Sequence, residues 1–326
     1  MRTLTGIALL LVILLVSLSA YLRLVHSGIG CAEWPQCYGR IGPGPAQDQA
    51  APTGEDAYQQ LVNQTAEPMA WATPLHRLVA SVLGLLVVFL NVLAVRGRRY
   101  RLLSLALLAL TVWLAMLGIR SGGLHEPAVV MGNLAGGFAM LGLLGWLWFA
   151  QSPRQPVEVP GGPPAALVGV AIALLAGQIL LGGLTSANFA ATSCRTLPDC
   201  HGAWWPGKDL FTAMDLTRTH SVTASGQAIG GPERIAIHQA HRLGAVLAGS
   251  LILLTAALAM RRRGTWRTTG MVAAGLVLAE FGVGVASVLA GLPITLAVAH
   301  NWLAGLLLLC LLKMLSLHRQ ARTVTR

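Results

Sequence analysis

The chain has 326 residues, of which 55% are apolar and only 11% charged, against about 25% charged in an ordinary soluble domain. That balance excludes a soluble globular enzyme and points to a chain that crosses a membrane repeatedly. A formal net charge of +11 would suit nucleic acid, but the placement of the basic residues, described below, excludes that partner.

Apolar runs long enough to span a bilayer, about 20 residues each, lie at 4–22, 74–95, 102–119 and 128–149, then at 164–184, 235–260, 268–291 and 294–316. No pattern of short alternating strands interrupts them, so a membrane barrel is excluded. The expected fold is an all-α polytopic membrane protein. Its eight transmembrane helices form two tandem four-helix bundles related by a pseudo-twofold axis along the membrane normal, which leaves both halves in one orientation. The first half is 1–150, the Pro- and Gly-containing stretch 151–163 is a linker, and the second half is 164–326.

In chain order, the first run contains Ser17-Leu18-Ser19-Ala20, which resembles a leader cleavage site, but its apolar core is longer than a leader's and predicts a retained span. The loop that follows carries Cys31-Ala-Glu-Trp-Pro-Gln-Cys37, and the second span opens Pro74-Leu-His76-Arg77. The third span ends near Arg120, and His125 precedes a fourth that opens Val130-Met-Gly-Asn133. The second half repeats the scheme: Cys194-Arg-Thr-Leu-Pro-Asp-Cys200 in the loop, Gln239-Ala-His241-Arg242 in the sixth span, and Val298-Ala-His300-Asn301 in the eighth.

Arg96, Arg98, Arg99, Arg101, Arg154, Arg261, Arg262, Arg263, Arg267, Lys313, Arg319, Arg322, Arg326 and Arg2 all fall on one side of this topology. Most of the acidic residues fall on the other. The positive-inside rule then places both termini in the cytoplasm of a multi-pass inner-membrane protein, with lipid as the surrounding partner. Both cysteine pairs lie in the outer loops, where disulfides persist, so Cys31–Cys37 and Cys194–Cys200 read as two local bridges. Zinc is excluded because neither pair has a second ligand pair nearby. Cys310, in the last span, reads as packing.

Depth sorts the histidines. His241 lies six residues past Ile235 and His300 six past Ile294, each about 9 Å into its helix. Two imidazoles at equal depth can clamp one haem iron from opposite sides, and an intramembrane ionisable residue is a functional candidate by default. In the first half, His76 takes the position of His241, but Asn133 stands near the position of His300. An amide oxygen is a poor iron ligand, so that half would hold a five-coordinate haem through His76 or draw a sixth ligand from elsewhere, His125 being one candidate. A bis-histidine iron suits electron transfer, and an open face suits reaction. Arg77 and Arg242, each beside a histidine, can pair with haem propionates or snorkel to the interface; Arg23 and Arg120 have the same choice. Glu280, inside the seventh span, must face a partner or cavity, as a structural contact or on a proton path. His238, one turn before His241, is a candidate for supporting it, while His26, His201, His220 and His318 have no ligand role.

The first-loop segment Tyr21-Leu-Arg23-Leu-Val-His26-Ser27-Gly-Ile-Gly-Cys31-Ala-Glu-Trp34-Pro35-Gln-Cys37-Tyr-Gly39 resembles the signature of the haem A synthase family, and the His-Arg helices and duplicated halves are similar too. The resemblance covers nearly the whole chain. It implies a haem b held by His241 and His300, and haem O as substrate in the first half, where its C8 methyl group is oxidised to formyl through hydroxylation. It also implies a Cys31–Cys37 disulfide, an association with haem O synthase and cytochrome oxidase assembly factors, and room for a homo-oligomer. Two positions depart from the family pattern: Thr73 replaces the glutamate of Glu-x-x-His-Arg, and Asn133 replaces a second substrate-side histidine. Three readings therefore compete: a haem A synthase using His76, a non-catalytic haem b protein for electron transfer or haem handling, and a transporter, for which no helix broken at midplane gives support.

Overall fold

A computed structural model describes residues 1–26, 72–120, 127–152, 162–207, 209–218 and 231–324. The expectations for Cys31, Cys37, His125 and His220, and most of the linker, lie outside these residues. Eight long helices form: α1 (Arg2–His26), α2 (Ala72–Arg96), α3 (Arg101–Arg120), α4 (Pro127–Ala150), α5 (Ala165–Ala187), α6 (Pro232–Met260), α7 (Thr265–Leu289) and α8 (Ile294–Val324). All eight are long and apolar enough to cross a membrane, and the described residues contain no strand. A chain in lipid must satisfy its backbone internally, which the helix does span by span.

Proline and glycine set the ends. Pro127 and Pro232 open α4 and α6 at the first turn, where a missing N–H costs nothing. α6 therefore begins at Pro232, ahead of the Ile235 expected from hydropathy. The turn between α7 and α8 is short. Gly291 and Leu292 both take positive φ, 73° and 67°, and Leu292 N donates to Ser287 O at 2.7 Å.

Within the first half α1 packs on α2 and α4, and α3 on the same two; within the second, α5 packs on α6 and α8, and α7 on the same two. Where the halves meet, α8 lies against α1 and α4, and α4 against α5. One apolar core runs through this seam, with Val12, Leu90, Leu107, Leu144, Ile252 and Leu311 fully buried. The outside is apolar as well: Leu85, Leu102, Leu278 and Leu289 are each more than 60% exposed. So continuous an apolar exterior is stable only in lipid.

One end of the bundle carries cations seated on aromatic rings. Arg2 lies 4.9 Å from the centre of the Trp148 ring, Arg319 5.1 Å from Trp146 and Lys313 5.6 Å from Phe149. Such stacking keeps long basic side chains at a membrane boundary while their stems cover apolar surface.

Candidate functional site

The second half brings its two histidines together. His241, on α6, and His300, on α8, have ring centroids 6.3 Å apart with planes at 85°. A five-membered ring with bonds of about 1.35 Å has its atoms about 1.1 Å from its centre. Adding about 2.0 Å for a metal–imidazole bond on each side gives roughly 6.2 Å between centroids across one metal ion. The observed centroid spacing of 6.3 Å is close to that figure.

Each ring is held by its other nitrogen. Gln178 of α5 places Nε2 3.0 Å from His241 Nδ1 and also donates to His241 O at 2.9 Å. Glu280 of α7 places Oε2 2.5 Å from His300 Nδ1. Both contacts engage Nδ1 rather than Nε2, and a metal-bound histidine commonly uses one ring nitrogen for the metal and the other for a neighbouring group. Gln178 Oε1 is buried without a hydrogen-bond partner.

Glycine makes room for the rings. A Cβ on Gly182 of α5 would come within 3.0 Å of His241 Cε1, and one on Gly284 of α7 within 3.6 Å of His300 Cε1. His300 keeps 36% of its side chain accessible although it lies inside a span. Two imidazoles at this spacing, each with its Nδ1 against another side chain, and space at the ring edges together fit a haem.

Among the described residues the first half shows no such convergence. His76 sits in the first turns of α2, half-buried, with Arg77 exposed beside it. Neither His76 nor Asn133, on α4, makes a hydrogen bond to a described residue. No group of three or more metal-ligating side chains exists among the described residues. Thr73 lies in the same first turn as His76.

The outer loop of the second half is tied to the head of α6. Cys194 and Cys200 form a disulfide. Arg242 donates to the carbonyls of Cys194, Thr196 and Asp199 at 2.8, 2.7 and 2.9 Å, all within that ring. His238 Nδ1 donates to Ala190 O at 3.0 Å, Gln239 to Trp204 O at 2.7 Å and Arg234 to Phe189 O. Arg242 thus spends both terminal nitrogens on the loop, and His238 supports the loop rather than His241. Sequence reasoning missed these bonds because their acceptors are main-chain carbonyls, which have no residue signature. It also missed Gln178, a polar side chain in an otherwise apolar fifth span and in that respect as visible as Glu280. His201 bonds to Ser193 O within the loop, His318 packs on Trp266, and Cys310 is free and buried.

The family model described as "Cytochrome oxidase assembly protein" matches residues 2–312. A protein of Shewanella oneidensis named Heme A synthase is 33% identical over 312 residues, covering 94% of this chain and 92% of its own length. Proteins of the same name from Neorickettsia sennetsu and Methylobacterium radiotolerans are 26% and 28% identical, covering 94% and 93% of this chain and 95% and 86% of their own lengths.

Proposed function

Because the chain belongs to the cytochrome oxidase assembly protein family, we propose that it converts haem O to haem A by oxidising the C8 methyl group, as an oxidoreductase of the haem A synthase kind. The observation that carries this reading is the facing pair His241 and His300, 6.3 Å apart, with Gln178 and Glu280 on their Nδ1 atoms. A haem b bound between them would supply one-electron transfer. The chain's own residues hold the two rings, fix which nitrogen faces inward and keep the pair at one depth.

The two halves act as repeats with different tasks, 1–150 taking haem O and 164–326 holding haem b. His76 is the substrate-side ligand, Arg77 is placed to meet a propionate, and Arg242 reaches one only through its remaining nitrogen. The basic, aromatic-backed end faces the cytoplasm of the inner membrane. Haem O synthase and oxidase assembly factors are the natural partners, with a homo-oligomer as a further arrangement. A second reading, a haem b protein without catalysis, is favoured by one observation: Thr73 and Asn133 leave His76 without the acid and second imidazole the family pattern has there.

Co-expression with a haem O synthase, followed by chromatography of the extracted haems, decides between the two. Haem A or its hydroxylated precursor, lost on His76→Ala, supports the enzyme. Haem b alone supports the second reading. In either case His241→Ala and His300→Ala abolish the low-spin haem spectrum.

A further inference from the structure

Glu280 is the one acidic residue inside α7, and the matching helix of the first half, α3, has none. A carboxyl group within a bilayer is costly and persists where it has a partner. Its partner is His300 alone among the histidines: Oε2 lies 2.5 Å from Nδ1, and the carboxyl side chain is only 12% accessible. The opposite ring, His241, meets a neutral amide. The short turn through Gly291 and Leu292 connects the helices that carry Glu280 and His300, so the pair is held by adjacent, directly linked spans.

We propose that Glu280 is a positioning residue for His300, locking the ring with Nε2 toward the haem and lowering the midpoint potential of that haem. This rests on the haem b site proposed above. The physical reason is twofold. A carboxylate that accepts the Nδ1 proton fixes ring orientation and raises the basicity of Nε2. It also adds negative charge beside an iron whose oxidised form carries one more positive charge, in a region where water screens little. Because the other ring has only an amide, the charge acts from one side, and α8 rather than α6 sets the potential.

The test uses the full-length protein purified in detergent. Haem content and the low-spin spectrum are measured first, then a redox titration of the wild type, Glu280→Gln and Glu280→Leu. The expected result is that Glu280→Gln keeps low-spin haem and shifts the reduced-to-oxidised ratio at a fixed potential upward at least tenfold, about 59 mV for a one-electron couple. Glu280→Leu should shift it at least as far and alter the electron-spin resonance g values, because the ring is no longer held. If Glu280→Gln loses its haem, recovery in Glu280→Asp supports the same role, and failure to recover overturns it. Unchanged potentials and g values in both variants overturn the inference and leave the haem b site standing. A wild-type protein without low-spin haem overturns both.

Discussion

At position 182 a single hydrogen takes the place of a side chain, and the spacing between α5 and the His241 ring depends on it. With a Cβ only 3.0 Å from His241 Cε1, Gly182→Ala already requires movement of a few tenths of an ångström. Gly182→Val, with branches at that carbon, should push the ring out of line and convert the haem from low-spin to high-spin while leaving the helices intact. Absorption spectra compared with far-ultraviolet circular dichroism check this, and a low-spin valine variant would show that α5 yields more easily than its packing implies. The sequence puts His241 and His300 at equal depth by counting from Ile235 and Ile294, but α6 starts at Pro232, so His241 lies nine residues past its helix start and His300 six past its own. That the rings meet is set by how α6 and α8 pack, which helix rise alone does not give. The partners of their Nδ1 atoms were not legible either. Hydropathy shows that Glu280 needs a neighbour, but which one depends on the rotation of α7 about its axis, and a residue's own sequence does not carry that.

Among the elements, the outer loop that follows α5 behaves as an extension of α6. Four of the five α6 side chains that grip it, Glu233, Arg234, His238 and Gln239, lie before His241, and the fifth, Arg242, directly follows it. Replacing Arg242 by Ala removes three charge-assisted bonds, each worth on the order of 1 kcal/mol. Cys194–Cys200 should then be reduced by a soluble dithiol several-fold faster, as thiol labelling against time would record, with low-spin haem retained. Equal rates in variant and wild type would mean that the disulfide ring stands without its arginine. The spans themselves were readable to within a few residues, since unbroken apolar runs have no other stable fate in lipid. The loop was readable only as far as its cysteines, because backbone acceptors look alike at every residue.

For the whole molecule, the two halves share a packing plan and differ in their chemistry. The second half keeps both imidazoles, while the first has His76 with Thr73 and Asn133. If those two departures limit the reaction, Thr73→Glu together with Asn133→His should raise haem A formation several-fold in the co-expression assay, and His76→Ala should cancel the gain. No rise in the double variant would place the limit elsewhere, in electron supply or haem O delivery. The seam between the halves has a consequence for how the protein is made. Of the eight described spans α8 is made last and α1 first, and the two meet across the seam, where Asn301 beside His300 donates to Val16 O at 3.5 Å. A nascent chain stopped anywhere before residue 294 would therefore lack His300 and also leave the flanks of α1 and α4 that meet α8 uncovered. The pairing of His241 with His300 and the seam between the halves are thus made in one step of synthesis, so a chain cut short of α8 lacks both and exposes its seam to membrane proteases.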